Sequence, residues 1–336
     1  MPRFAIIGLG YWGPNLVRNF HEVVGRDLKV ICDTDPARCE RLQRDYPSLE
    51  VVRDSQQVFH DPEIDAVAIA TPVGTHFALA KAALLAGKSV LVEKPLAASA
   101  EQAAELVDLA RSKGLILMVD HVFIFSSAVR KIKELLDEGR LGKLLFIDSV
   151  RINLGLFQHD VNVVWDLAPH DLSIIDFLIG RLPKSVAAFG AAHTPGGLED
   201  VAYINLDFGD GLIANLHVNW LSPVKIRYTM FGGADSSLVY NDLDTVEKVK
   251  LYNRGITVRP VSAEDRRRLL IDYRTGDVWS PHLDVGEPLR NVAAHFHQCV
   301  SEGRTPLTDG EAGLRVVRLL EAAQRSIKAQ GGRITL

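Results

Sequence analysis

The sequence predicts an α/β chain whose first third is a doubly wound parallel sheet and whose remainder is α+β. Three observations predict it. Up to about Asp120, short and continuously apolar strands alternate with helices, the pattern of a parallel sheet covered on both faces. Beyond Asp120 the strand-like stretches lengthen, and hairpin turns imply antiparallel pairing in a mixed or antiparallel sheet. The 336 residues are 47% apolar and 24% charged, an ordinary globular balance with length for about two domains. The change of pattern places domains at residues 1–121 and 122–336.

The elements follow from local signals. Phe4–Gly8 is an apolar strand. Leu16, Val17, Phe20 and Val23 recur at helical spacing, with Pro14 in the first turn, where its missing N–H is harmless. Leu28–Cys32 is a second strand, and Asp35-Pro36 is a cap and first turn for a helix to about Gln43. Ala66–Ala70 is a buried strand closed by Thr71-Pro72. Phe77–Ala86 is a helix ending at Gly87, and Ser89–Val92 is the next strand. Ser99 and Gln102 form a capping box for a helix running to Ser112, closed by Gly114, before the strand Leu115–Val119.

In the second part, Ala128–Glu138 and Val163–Ile179 are helices. Strands are expected at Leu144–Asn153, Ser185–Ala191, Val201–Phe208, Leu212–Trp220, Tyr228–Phe231 and Val249–Tyr252. Asp207-Phe208-Gly209-Asp210-Gly211 is a hairpin turn. Asp272–Gly286 is polar and punctuated by Gly and Pro, so it is expected as a surface loop. Leu289–Glu302 and Gly310–Ala329 are closing helices.

Charge and cysteine usage exclude several classes. Lys and Arg number 38 against 42 Asp and Glu, a net charge of -4 with no basic run, so nucleic acid is not an expected partner. Three cysteines make no disulfide framework, and their spacing fits no zinc pattern. His295 and His297 point apart on a helix, so no metal site is expected. No apolar run is long enough to span a membrane, and no signal-peptide layout opens the chain. The expectation is a cytoplasmic protein.

Gly8-Leu9-Gly10-Tyr11-Trp12-Gly13 is a G-x-G-x-x-G run that follows the first strand and opens the first helix. Asp33 ends the second strand 20 residues after Gly13. This is the Rossmann layout. Gly8 makes the turn, Gly10 lets backbone approach a pyrophosphate, Gly13 allows close helix packing, and the helix N-terminus offers N–H groups to phosphate. A carboxylate at Asp33 accepts from ribose hydroxyls and repels a 2′-phosphate, so the expected cofactor is NAD. Arg38 lies one turn into the next helix and is read as solvated.

Glu93-Lys94-Pro95 puts a lysine at the carboxyl end of a buried strand, where ligands of open parallel sheets bind. Asp166 and His170 are four residues apart in Trp165-Asp166-Leu167-Ala168-Pro169-His170 and share a face of a helix. Taken singly, each has an ordinary structural explanation. Together with the glycine loop, Asp33, Ala70-Thr71-Pro72, His76 and the ending Pro306-Leu307-Thr308-Asp309-Gly310-Glu311, they make the chain resemble the Gfo/Idh/MocA family of nicotinamide-dependent oxidoreductases over nearly its whole length. Two positions depart from that family's pattern. Ala168 stands where glycine is common and Ser173 where Asp is common, while Asp171 follows the histidine directly.

The resemblance implies a second domain with a large open, mostly antiparallel sheet and a homodimer or homotetramer. It implies cofactor contacts from Gly8, Gly10, Tyr11, Trp12, Gly13, Asp33, Thr71, Pro72, His76, Glu93 and Lys94. It implies catalysis by Lys94, Asp166 and His170 on a secondary carbinol of a sugar, sugar nucleotide or polyol, with a Lys-Pro bond that is often cis. Histidine suits a base near neutral pH, and Lys94 could hydrogen-bond the same oxygen, or act as the base itself if burial lowers its proton affinity. Arg151, Asn153, Gln158, His159, Asp160, Asn162 and Trp165 supply polar groups suited to a hydroxyl-rich substrate. The stretch from Asn153 to His170 is similar to sugar-nucleotide and amino-sugar enzymes, including UDP-N-acetylglucosamine 3-dehydrogenases. The alternative is a regulator that binds NAD and sugar without chemistry; retention of Lys94, Asp166 and His170 argues against it.

Overall fold

The computed structural model describes residues 1–155, 160–258 and 271–336. These divide into two compact units. One comprises 1–126, 172–177 and 285–321, the other 127–171, 178–284 and 322–336.

The first unit strings β1 (Phe4–Ile7), α1 (Gly13–Val24), β2 (Leu28–Cys32), α2 (Pro36–Asp45), β3 (Glu50–Val52), α3 (Ser55–His60), β4 (Ala66–Ile69), α4 (Val73–Leu85), β5 (Ser89–Glu93), α5 (Ala100–Lys113) and β6 (Leu117–Asp120). The sheet order is β3-β2-β1-β4-β5-β6 and every pairing is parallel. The chain leaves β1 toward one edge and returns through β4 toward the other. The order therefore reverses between β1 and β4, the point where such sheets open a crevice for ligand. β1 and β4 are buried along their full lengths, which is why they read as unbroken apolar runs. The expected caps are present. Asp35 accepts from the Ala37 N–H at 2.9 Å, and Ser99 accepts from the Gln102 N–H at 3.2 Å. Gly114 closes α5 in the left-handed region at φ 64°, where only glycine is unstrained.

The second unit is built on α6 (Ser127–Asp137), β7 (Leu144–Leu154), α7 (Val163–Ile179, whose residues 172–177 count with the first unit), β8 (Ser185–Ala191), β9 (Val201–Asp207), β10 (Ile213–Asn219), β11 (Leu221–Gly233), β12 (Ser237–Asn241), β13 (Val249–Tyr252), β14 (Gly255–Val258), β15 (Ile271–Arg274) and β16 (Val278–Trp279). The chain closes with α8 (Pro288–Glu302), α9 (Gly310–Lys328) and β17 (Ile334–Thr335). Nine strands form one sheet in the order β16-β13-β12-β11-β7-β10-β9-β8-β17. All pairings are antiparallel except β7 with β10. Strands β9 and β10 alternate buried and exposed residues. That leaves Tyr203 and Ile213 on solvent, as Phe189 of β8 also is, with Tyr203 stacked on His217 at 4.4 Å.

Two features differ from the sequence expectation. Helix α8 and the first part of α9 fall in the first unit, although the 121/122 boundary assigns them to the second domain. Leu289, Val292, Ala293 and Phe296 join the apolar cluster of Phe4, Phe20 and Leu28, with ring centroids of Phe296 5.9 Å from Phe4 and 6.3 Å from Phe20. The stretch expected as a surface loop, Asp272–Gly286, carries the end of β15 and all of β16. All three cysteines are buried free thiols.

Candidate active site

In the first unit, the loop after β1 is set by close approach. A side-chain carbon on Gly8, whose φ is 96°, would stand 2.6 Å from the Ala70 carbonyl oxygen. One on Gly13 would stand 2.2 Å from the Gly8 carbonyl oxygen. At Gly10 the nearest atom is an Arg38 nitrogen 3.8 Å away, so that position opens onto free space. The three glycines thus divide their work as the motif requires: two are locked against backbone, one is clear for a ligand. A hollow lined by Leu9, Gly10, Tyr11, Pro14, Arg38, Arg41 and Leu42 adjoins the loop. Tyr11 and Trp12 are exposed and packed edge to face at 5.4 Å.

Asp33 directly follows β2 and is nearly buried. It accepts from the Leu9 N–H at 2.6 Å and the Asp35 N–H at 2.9 Å, which ties the glycine loop to the end of the second strand. Arg38 lies 3.6 Å from the same carboxylate rather than wholly in solvent. A cleared Gly10, an N–H-bearing helix start and a fixed carboxylate match the pyrophosphate and ribose of a dinucleotide.

At the ends of β4 and β5, Pro72 caps α4 and Thr71 accepts from the Thr75 hydroxyl at 2.7 Å. His76 is buried. Its ring nitrogens lie 2.9 Å from the Pro95 carbonyl and 2.8 Å from the Thr71 carbonyl, so it brackets the two loops together. Lys94 follows β5 directly, and Lys94-Pro95 is cis. The Lys94 N–H donates to Glu93 Oε2 at 3.1 Å.

The second unit holds Asp166 and His170 on α7. Asn162 precedes that helix, and its Oδ1 accepts from the Trp165 N–H at 3.1 Å. Its Nδ2 donates to Glu199 and Gln324 at 2.6 Å each, so Asn162 anchors the helix start. Asp166 Oδ2 accepts from the Trp220 indole at 3.0 Å, which fixes that carboxylate. Pro169 sits inside α7 and has no N–H for the Trp165 carbonyl, so the regular ladder is interrupted in the turn that separates Asp166 from His170. Arg151 is buried, with Nε and Nη2 at 2.7 and 3.0 Å from the two oxygens of Asp171, and Ser149 donates to the same carboxylate at 3.1 Å. Asn153 lies near the end of β7 and is half-buried, like Trp165. Gln158 and His159 lie outside the described residues.

Sequence reasoning did not single out Trp220, the Arg151–Asp171 pair, Asp120 or His121. The first two require strand register to see. Asp120 carries a local signal, an acid at the end of the strand that follows Glu93-Lys94-Pro95.

A switch-point crevice with a cleared glycine loop and a fixed acid defines a dinucleotide-binding protein of the Rossmann class. Residues 2–121 match the family model for the oxidoreductase family with an NAD-binding Rossmann fold, and residues 129–236 match the GFO/IDH/MocA C-terminal domain. The chain belongs to the Gfo/Idh/MocA oxidoreductase family, and its first unit is an NAD-binding domain. Among its relatives, the uncharacterized oxidoreductase YdgJ of Escherichia coli (strain K12) is 34% identical over 265 residues, 73% of each chain. The scyllo-inositol 2-dehydrogenase (NADP(+)) IolW of Bacillus subtilis (strain 168) is 27% identical over 322 residues, covering 87% of this chain and 85% of its own. The solved structure of UDP-N-acetylglucosamine 3-dehydrogenase GnnA from Acidithiobacillus ferrooxidans superposes with a TM-score of 0.82 at 23% identity, covering 98% of both chains, and shares the fold.

Proposed function

We propose that this oxidoreductase transfers a hydride between a secondary carbinol of a sugar, sugar nucleotide or polyol and NAD. The observation that carries the reading is Lys94 at the carboxyl end of β5, in a sheet whose switch point bears a dinucleotide-shaped glycine loop. The scyllo-inositol substrate of the relative IolW and the sugar nucleotide of GnnA support the substrate class. The nicotinamide, when bound, supplies the hydride acceptor.

The remaining roles belong to this chain. His170 takes the hydroxyl proton, which requires a neutral ring. Lys94 donates a hydrogen bond to the same oxygen and stabilises developing negative charge. Asp166, held by Trp220, orients the histidine or a neighbouring hydroxyl. Asn153, Trp165 and the Arg151–Asp171 pair shape the substrate side, and Asp33 selects NAD by contacting ribose. The three free thiols suit a reducing compartment, and we place the protein in the cytoplasm. Homo-oligomerisation would cover the exposed Phe189, Tyr203 and Ile213.

The test is NAD reduction with a panel of inositols, free sugars and UDP-sugars. Turnover of at least one panel member is expected. Lys94→Ala should lower kcat a hundredfold or more, roughly 2.7 kcal/mol. In the active protein kcat/KM should fall below about pH 6.5, where an ordinary histidine takes up its proton, and His170→Asn should remove that limb with a loss on the order of 10²–10⁴. Turnover of Lys94→Ala within threefold of the parent would sink the assignment of Lys94. An acid limb unchanged in His170→Asn would make another group the base.

A further inference from the structure

Beside Lys94 the first unit buries titratable groups that the reaction above leaves unused. Glu93 ends β5 and Asp120 ends β6, and the two are direct cross-strand partners. They are 9% and 2% exposed, and direct cross-strand partners send their side chains to the same face of the sheet, so two buried acids lie side by side. Two carboxylates sharing a buried site repel each other, which favours a proton on one of them. Asp120 Oδ1 has no partner among the described residues.

Burial, and next the charge of Glu93, hold the Asp120 carboxyl well above the usual range. Burial also raises Glu93, against the lowering effect of Lys94. The surrounding groups are accounted for. His121 is buried with neither ring nitrogen partnered among the described residues, and burial, with the charges of Lys94 and Arg315, pushes it down to about 3. It is therefore neutral near pH 7 and has no imidazolium proton to give. Arg315 from α9 is held by Asp176 through two bonds of 2.8 Å. His76 from α4 faces the Pro95 and Thr71 carbonyls.

We propose that the Glu93–Asp120 pair stores one proton, which it releases when the positively charged nicotinamide of NAD+ binds and keeps when the neutral nicotinamide of NADH binds. Both residues stand at carboxyl ends of parallel strands, the edge of such a sheet where ligands bind. A cation brought to that edge favours two carboxylates over one, whereas a neutral ring does not. On release the carboxyl O–H bond breaks, its proton passes to water, and the pair goes from one negative charge to two; no electrons move. The two groups titrate as a unit, so the stored proton belongs to the pair and not to either residue.

The inference rests on the cofactor site of the reading above and not on its substrate, so it is tested without turnover. Calorimetric titration with NAD+ and with NADH, in two buffers of different ionisation enthalpy near neutral pH, counts the protons released. Release approaching about one proton per NAD+ and near none per NADH is expected. Asp120→Asn keeps a donor toward Glu93 but has no proton to lose, so its NAD+ value should fall to the NADH value. Should that variant fail to fold, Glu93→Gln should show the same collapse. Equal release with both nucleotides overturns the inference while the cofactor assignment stands. Release that persists in Asp120→Asn, or that disappears only in His76→Gln, also overturns it.

Discussion

Asp33 and Asp120 stand at the ends of two strands of one parallel sheet, and they meet opposite surroundings. Asp33 faces donors, the N–H groups of Leu9 and Asp35, with the Arg38 guanidinium 3.6 Å away. Asp120 faces another acid, with one oxygen unpartnered among the described residues. The first carboxylate is a fixed acceptor that organises a loop. The second is half of a buried pair in which burial and the neighbouring acid favour the protonated form. What a strand-end acid does is decided by what its neighbour strand or loop presents, and the residue type alone leaves both outcomes open.

The largest effect should come from breaking the donor-rich side. Gly13→Val drives a side chain into the Gly8 carbonyl, since even a Cβ there would lie at 2.2 Å. NAD affinity should weaken at least a hundredfold, about 2.7 kcal/mol, in a fluorescence titration. Binding within threefold of the parent would show that the loop is not closely packed around the nucleotide.

A second effect, of opposite sign to most buried substitutions, is expected at His121. Both its ring nitrogens are buried, so His121→Leu should raise stability at neutral pH by about 1–3 kcal/mol. The unfolded chain takes up this proton below about pH 6.5, and the folded chain does not until about 3. The native protein therefore loses stability through this group as pH falls across that window. The raised carboxyls act the other way, losing their contribution as pH rises. The gap between variant and parent in urea unfolding should widen from pH 7 to pH 5; a gap that narrows would show that the folded state protonates His121 after all.

The smallest effect concerns nucleotide choice. NAD should bind about tenfold more tightly than NADP, roughly 1.4 kcal/mol, and Asp33→Ala should narrow that difference. Equal affinities in the parent protein would sharpen the comparison differently, by assigning Arg38 a compensating role toward a 2′-phosphate.

The sequence disclosed most where one residue type has one structural use. The glycine loop, the Asp35 and Ser99 caps and helix Val163–Ile179 were legible because steric and capping rules act locally. Strand β3 was missed because three residues carry no period, and α3 because six residues make less than two turns. Strand β11 was legible only over Tyr228–Phe231. Its start holds Pro223, and its register shifts between Leu221 and Ile226, which breaks the alternation. In the candidate site, Lys94, Asp166 and His170 stood out as a spaced set. The cross-strand meeting of Glu93 with Asp120, and of Arg151 with Asp171, depends on register and helix placement that no local pattern encodes.

The buried thiols have a kinetic consequence. Burial pushes Cys32 up to about 12 and raises Cys39 and Cys299, while Cys39 Sγ also donates to the Asp33 carbonyl at 3.4 Å. Alkylation proceeds through the thiolate, so the closed protein is nearly inert and each modification event marks an excursion from it. Cys32 and Cys39 then time the opening of the sheet beside the glycine loop, and Cys299 times the departure of α8. The chain carries its own clocks for how often the nucleotide cradle comes apart, and bound NAD should slow the first two.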